Sequence, residues 1–157
     1  DADLSHDPAV VPSPLAEVEN GHDLAIGSRY VPGGSIPDWS MLRRAISRGG
    51  NLYARIVLGL RVQDATAGFR AYSAAALRGI DLDSVSADGY GFQVEMAYRV
   101  QQQGGSTTEI PIEFRDRTLG HSKMSSRIVV EALLLVTWWG IRDLPRRLFR
   151  KRSRRST

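Results

Sequence analysis

The sequence feature that most constrains the fold is a compact apolar run at residues 24–27, Leu-Ala-Ile-Gly. The run is short enough to be a buried strand. A second strand is predicted where apolar and polar residues alternate at residues 107–114, and a turn followed by a strand is predicted at residues 62–72. Helical patterns separate these predicted strands.

The helices are predicted from the spacing of apolar residues. Phe92, Met96 and Val100 repeat at i, i+4 and i+8, which places them on one helix face that ends before Gly104-Gly105. Gly49-Gly50 favours a break or kink in its helix, and Pro145 favours an end to the last one. The predicted helices cover residues 15–20, 41–58, 73–78, 92–103 and 125–142.

Four helix and strand breakers lie between residues 31 and 39: Pro32, Gly33, Gly34 and Pro37. Such a density predicts a mobile loop. Loops that follow strand ends commonly carry binding and catalytic residues, so this segment is a candidate part of an active site.

The net charge of +4 is distributed unevenly. Residues 142–157 hold eight Lys and Arg against the single acid Asp143, which leaves the rest of the chain acidic. The chain has no cysteine, so disulfides and thiolate metal sites are excluded. It opens on Asp1 with no initiator Met and no signal peptide, and we expect it to be part of something longer.

Two segments carry residues typical of anion or metal binding. Asp1 and Asp3 are two residues apart, so both carboxylates can reach one hard cation, although the same pattern is typical of a solvated acidic loop. Arg29 directly follows the predicted buried strand, where its guanidinium can hold phosphate oxygens or pair with a nearby carboxylate.

Residues 64–70, Asp-Ala-Thr-Ala-Gly-Phe-Arg, form a third candidate segment. An acid, a turn-forming glycine and an arginine lie within seven residues there. The alternative is a structural turn in which Asp64 pairs with Arg70. Further cations that could meet an anionic substrate or remain solvated are Arg43, Arg44, Arg48, Arg117 and Lys123.

Several motifs occur in a characteristic order: D-A-D-L-S-H, I-G-S-R-Y-V-P-G-G, S-R-G-G-N-L-Y, D-A-T-A-G-F-R-A-Y, G-Y-G-F-Q-V-E, E-I-P-I-E-F and G-H-S-K-M. Together they resemble dolichol-phosphate (polyprenol monophosphate) mannose synthases of glycosyltransferase family 2, over residues 1–142. The resemblance implies an α/β fold, the C-terminal half of a GT-A fold, with a mostly parallel sheet flanked by helices. The half that binds the guanosine of GDP-mannose is not in this sequence, so a longer form of the protein or a partner chain would supply the nucleotide site.

The resemblance also implies a metal site. Asp1 and Asp3 would hold Mg²⁺ or Mn²⁺ on the diphosphate of the donor. Ser5 stands where relatives often have a metal-binding glutamine, so the third ligand would be its hydroxyl or a water molecule.

The implied reaction is inverting transfer of mannose from GDP-mannose to a polyprenyl phosphate. Arg29 and one of Arg43 or Arg44 would bind phosphate while loop 31–39 closes over the site. Asp64 would position the acceptor or a phosphate-binding arginine, because a phosphate monoester needs no strong base. The other implied contacts are Arg117, Ser122 and Lys123 near the diphosphate and Glu95 near a sugar hydroxyl.

Residues 128–141 are strongly apolar but too short to span a bilayer, and Glu131 disfavours crossing. Trp138-Trp139 followed by the basic tail predicts a helix in the membrane interface beside anionic head groups, with a core helix as the alternative. We therefore expect a partial GT-A domain at 1–124, an amphipathic helix at 125–143 and a disordered tail at 144–157, in a protein peripheral to the cytoplasmic membrane face.

Three other functions remain open. A polyprenyl-phosphate glucosyltransferase would have the same fold. A nucleic-acid-binding module is disfavoured, because the cations are terminal and only Phe149 is interleaved with them; no nucleic acid partner is expected. An inactive fragment is the third, because a sheet without its other strands exposes an edge.

Overall fold

The computed structural model describes residues 8–85, 87–115 and 126–153 of the chain. Three strands and five helices form most of this part. In chain order they are α1 (Pro12–Glu19), β1 (Leu24–Ser28), α2 (Met41–Leu58), β2 (Arg70–Tyr72), α3 (Ala74–Gly79), α4 (Gly89–Gln102), β3 (Thr107–Pro111) and α5 (Ser126–Ser153), with short 3-10 turns at Pro8–Val10 and Leu82–Ser84.

The sheet has the order β2-β1-β3, with every residue of β1 buried at its centre. β3 runs parallel to β1, whereas β2 runs antiparallel to it. The α/β class is confirmed, and the sheet of the described residues is small and mixed, with one parallel and one antiparallel pairing. The connection from β1 to β2 spans residues 29–69 and includes α2.

The strand predicted at the end of residues 62–72 is only three residues long, because hydrogen bonds hold the preceding segment as a turn. The carboxylate of Glu109, on β3, accepts from the backbone N–H groups of Gln63 at 2.6 Å and Asp64 at 2.9 Å. Arg70 donates to the carbonyls of Ala65 and Ala67 at the other end of the same turn. This turn carries Asp64 to the end of β1.

α2 is continuous across Gly49-Gly50, contrary to the break or kink favoured by the sequence. The hydroxyl of Ser40 accepts from the Arg43 N–H at its start, and Gly59 ends it with a left-handed φ of 64°. Each interior glycine costs about 1 kcal/mol relative to alanine. Burial of Ala54 and Leu58 in the core outweighs that cost, since a buried leucine alone contributes about 1.5–3 kcal/mol.

The ends of other elements also differ from the sequence predictions. α4 begins three residues early, at Gly89, and β3 stops at Pro111. α5 continues through Pro145 to Ser153, so the predicted end at Pro145 is wrong, while disorder of the basic tail stays a prediction. Pro145 lacks the N–H that would bond to the Ile141 carbonyl, so the helix loses one backbone hydrogen bond there.

α5 packs against both α2 and α4. Tyr53 on α2 and Thr137 on α5 share a hydrogen bond of 2.7 Å, and a Cβ added to Gly140 would overlap Val57. Asp143 is buried and accepts from the hydroxyl of Tyr98 at 3.1 Å. Of the two adjacent tryptophans one is buried and the other is on the surface: Trp139 is 4% exposed and Trp138 is 61% exposed. The helix is therefore a core element that keeps one apolar face on the surface.

Candidate active site

Arg29 emerges from the end of β1 and is buried against Asp64, 35 residues later. The exposed fraction is 6% for Arg29 and 0% for Asp64. Nε of Arg29 donates to Oδ2 of Asp64 and Nη2 donates to Oδ1, both at 2.7 Å. The backbone N–H of Arg29 and the hydroxyl of Thr66 also donate to this carboxylate, at 3.0 and 3.2 Å. These contacts fill both lone-pair positions on each oxygen.

A chain of polar groups connects this pair to α2. The hydroxyl of Thr66 accepts from Nη2 of Arg29 at 2.8 Å and from the side-chain amide of Asn51 at 3.1 Å. The same Asn51 amide donates to the backbone carbonyl of Ser47, whose hydroxyl accepts from Tyr30 at 2.7 Å. The network fixes the position of α2 relative to the end of β1.

Electrostatics keep Arg29 charged despite its burial. Desolvation alone would lower its pKa, but the hydrogen bonds and the charge of Asp64 outweigh this, so the net effect is a raised pKa for Arg29. Burial also raises the pKa of Tyr30, and its hydrogen bond to Ser47 opposes this. In the described residues no acceptor binds Nη1 of Arg29, since its guanidinium hydrogen bonds all use Nε and Nη2.

The loop at residues 31–39 folds over Arg29 without forming a helix or a strand, as predicted. Trp39 is 5% exposed, and its ring centre lies 5.2 Å from Cζ of Arg29. Nη2 of Arg44 donates to the carbonyls of Ile36 at 2.6 Å and Pro37 at 3.0 Å. The predicted phosphate ligand Arg44 therefore also anchors the loop to α2.

Arg43 and Arg48, two further cations of α2, lie against aromatic rings near Arg29. Cζ of Arg43 is 3.9 Å from the ring centre of Trp39, and Cζ of Arg48 is 5.4 Å from that of Tyr30. The structure thus brings Arg43 and Arg44, both suggested by the sequence, to the loop that covers Arg29.

Arg29 also lines a cavity of about 70 Å³ between α2, α4 and α5. Most of the lining is apolar. The lining residues are Arg29, Trp39, Ile46, Ser47, Gly50, Ala54, Thr66, Tyr90, Val94, Val129, Ala132, Leu133 and Val136. A buried guanidinium beside an apolar cavity is chemically suited to an anionic group attached to an apolar one.

The alternative pairing of Asp64 with Arg70 is wrong. Asp64 binds Arg29, while the guanidinium of Arg70 donates to three backbone carbonyls at 2.6–2.7 Å, those of Ala65, Ala67 and Gln93. Arg70 is thus a structural residue of the turn. The other possibility for Arg29, pairing with a carboxylate, is confirmed, and it leaves one guanidinium nitrogen for a further ligand.

Glu95 has different surroundings. Its side chain is 3% exposed, forms an ion pair with Arg99 and accepts from the backbone N–H of Ala87 at 3.2 Å. It does not line the cavity beside Arg29. These contacts favour a structural role, and the contact with a sugar hydroxyl stays a prediction.

Sequence reasoning missed five residues that position the pair: Tyr30, Ser47, Asn51, Thr66 and Glu109. All five lie inside the motifs quoted above, which was the available signal. Six predicted site residues lie outside the described residues: Asp1, Asp3, Ser5, Arg117, Ser122 and Lys123. In the described part, no cluster of three or more His, Asp or Glu side chains could hold a metal ion.

The fold and the site define an α/β protein with a buried arginine–carboxylate pair at a strand end, covered by an aromatic loop and open to an apolar cavity. No protein-family model matches the chain.

Three curated relatives show which proteins the chain is homologous to. The chain is 52% identical over 141 residues to an undecaprenyl-phosphate mannosyltransferase of Micrococcus luteus and 46% identical over 142 residues to a polyprenol monophosphomannose synthase of Mycolicibacterium smegmatis. It is 34% identical over 146 residues to a dolichol-phosphate mannosyltransferase of Pyrococcus furiosus. These matches cover 90%, 90% and 89% of the chain but only 58%, 54% and 40% of the respective relatives. The chain is therefore homologous to part of a polyprenyl-phosphate mannosyltransferase, which confirms the resemblance.

Proposed function

We propose that the protein containing this chain transfers mannose from GDP-mannose to a polyprenyl phosphate, and that the described residues form the acceptor side of the site. The observation that carries this proposal is the buried Arg29 at an apolar cavity, in a segment homologous to enzymes named for mannose transfer to such lipids. The proposal includes a GT-A fold for the complete catalytic domain, of which this chain is the C-terminal half.

In the proposed reaction, an oxygen of the acceptor phosphate attacks the anomeric carbon of mannose. The bond from that carbon to the GDP oxygen breaks, GDP leaves with the electron pair, and the configuration inverts. A phosphate monoester is already anionic near neutral pH, so the attack needs no strong general base. Asp64 is unsuited to that role because it is fully buried and accepts four hydrogen bonds.

The main barrier is the repulsion between two anionic substrates held in contact. Arg29 offers Nη1 to the acceptor phosphate, while Asp64 and Thr66 fix the plane of its guanidinium. Arg43 and Arg44 add positive charge at the loop, and Arg117, Ser122 and Lys123 are proposed for the diphosphate.

Asp1, Asp3 and the hydroxyl of Ser5 offer only oxygen ligands, which fit Mg²⁺ or Mn²⁺. A metal bound there would neutralise charge on the leaving diphosphate.

A donor panel tests the proposed function. The protein, in the full form in which its cell makes it, is incubated with a polyprenyl phosphate and GDP-mannose, GDP-glucose or UDP-glucose. We expect a mannosylated lipid from GDP-mannose at a rate at least about tenfold above either glucose donor, because one sugar hydroxyl in a fitted polar site is worth more than 1.4 kcal/mol. Product is measured by mass spectrometry of the lipid fraction.

As a control, a chelator removes divalent metal from the same reaction. We expect mannose transfer to stop and to be restored by added Mg²⁺ or Mn²⁺. A faster transfer of glucose would replace the proposal by the polyprenyl-phosphate glucosyltransferase alternative. Lack of transfer from every donor would favour the alternative that the chain is an inactive fragment.

The surface of α5 supports peripheral contact with the membrane that holds the acceptor. Apolar side chains at Val130, Leu134, Trp138 and Ile141 are each more than half exposed along one side of the helix. Among the described residues, no helix is both long and apolar enough to cross a bilayer. The basic residues that follow add attraction to anionic head groups. Attachment to the cytoplasmic face stays a prediction.

We expect the protein to sediment with anionic phospholipid vesicles at low ionic strength. Salt at about 1 M, which shortens the screening length to about 3 Å, should reduce the bound fraction, and so should truncation after Asp143. Neutral phosphatidylcholine vesicles are the control. Equal sedimentation with both vesicle types before and after truncation would show that the basic tail does not contribute.

A further inference from the structure

We propose that the cavity beside Arg29 binds the isoprene unit directly bonded to the acceptor phosphate, and that Gly50 keeps the space for it. This inference rests on the proposed function, and it assigns a specificity-determining residue to the acceptor site. Its evidence is the size and lining of the cavity and an unexplained glycine on its wall.

The size of the cavity fits one isoprenoid unit. A single water molecule needs roughly 10–15 Å³ of space. The cavity of about 70 Å³ therefore has room for a group of several non-hydrogen atoms. That is the size of a single branched isoprene group and far below that of a whole polyprenyl chain.

The lining separates into a polar side and an apolar wall. Arg29, Thr66 and Ser47 belong to one hydrogen-bonded network, so they lie together on the polar side. Apolar side chains of α2, α4 and α5 form the rest of the wall: Ile46, Ala54, Val94, Val129, Leu133 and Val136. A phosphate bound to Nη1 of Arg29 would place its ester-linked carbon chain beside this wall, which matches the charge and polarity of a lipid monophosphate.

Gly50 lines the cavity from the interior of α2. Its φ is not positive, and a Cβ built on it would meet no described atom within 4 Å beyond its chain neighbours and the adjoining backbone of α2. Neither backbone conformation nor packing within the described residues therefore requires glycine, which is the poorest helix former after proline. Space for a ligand explains why no side chain fills the cavity from this position.

Gly49 provides a matched control. It is the preceding residue of the same helix, and a Cβ there is also free of contacts within the described part of the chain. It is exposed and does not line the cavity. A leucine at either position removes one helix-interior glycine, but only Leu at position 50 fills the cavity.

The experiment compares Gly50→Leu with Gly49→Leu in the full-length protein. The Kd for a polyprenyl monophosphate in detergent micelles is measured by tryptophan fluorescence, and KM values are measured with the same lipid. We expect Gly50→Leu to raise Kd and KM for the lipid about tenfold, because the displaced isoprene loses its apolar contacts. Gly49→Leu should stay within about twofold of the parent, and both variants should keep the parent KM for the sugar donor.

An unbranched alkyl phosphate of equal length is the second probe. The parent protein should prefer the isoprenoid lipid, and Gly50→Leu should lose most of this preference. Equal weakening by Gly49→Leu would assign the effect to the stiffness of α2 and overturn the inference, as would an unchanged Kd in Gly50→Leu.

The two proposals fail differently. If the parent protein transfers mannose but Gly50→Leu does not change lipid binding, the proposed function stands and the isoprene site is rejected. If only Gly50→Leu weakens lipid binding and the parent protein does not transfer mannose, the isoprene site stands and the proposed function is rejected.

Discussion

Replacing Asp64 by alanine is expected to lower the free energy of unfolding by about 3–5 kcal/mol, the typical cost of leaving one partner of a buried ion pair alone. Arg29 would keep its charge at 6% exposure with its Nε and Nη2 acceptors on Asp64 removed. The loss is measured by urea unfolding of the full-length protein.

Glu113→Ala is the control for this prediction, because it removes an exposed ion pair. The side chains of Arg115 and Glu113 are 72% and 51% exposed, and pairs of this kind contribute little. We expect no measurable change in stability from this variant. Asp64→Asn keeps the volume of the side chain but not its charge and should fall between the two. If Asp64→Ala unfolds at the same urea concentration as Glu113→Ala, the pair does not stabilise the fold.

Arg29→Lys is expected to lower kcat/KM for the lipid acceptor about 100-fold, which corresponds to about 2.7 kcal/mol. Lysine keeps the positive charge but has one nitrogen, so it cannot bind Asp64 through two nitrogens and still donate to Thr66 and to a phosphate. Loss of one or two charged hydrogen bonds is consistent with this magnitude. Initial rates at varied lipid concentration measure the effect.

Arg55→Lys is the matched control on α2, since Arg55 is an exposed arginine that does not line the cavity. It should keep the parent kinetics. The KM for the sugar donor should change much less than that for the lipid in Arg29→Lys, because the proposed contact is to the acceptor. A uniform loss for both substrates, or parental activity, would remove Arg29 from the acceptor site.

The sequence predicted the elements whose signals are local. The apolar run at residues 24–27 is the centre of β1, and the spacing of Phe92, Met96 and Val100 corresponds to α4. Helix ends were less predictable, because packing decides them: Gly49-Gly50 and Pro145 are both unfavourable within helices and both lie inside one.

The site was predicted in part. Arg29 and Asp64 were selected individually, but their pairing spans 35 residues and depends on the antiparallel return of β2, which no local pattern encodes. By sequence distance alone, the nearer Arg70 was the more plausible partner of Asp64. Thr66, Asn51 and Ser47 are small polar residues whose role depends on which groups face them, so only the fold reveals it.

The close packing of α5 on α2 connects the surface of the protein with the anion site. Gly140 of α5 lets the two helices approach at Val57 of α2. One turn away, Tyr53 of α2 shares a hydrogen bond with Thr137 of α5. The same α2 carries Asn51, which is hydrogen-bonded to Thr66 and through it to Arg29. A continuous series of contacts therefore connects the helix that exposes an apolar face with the guanidinium of the anion site.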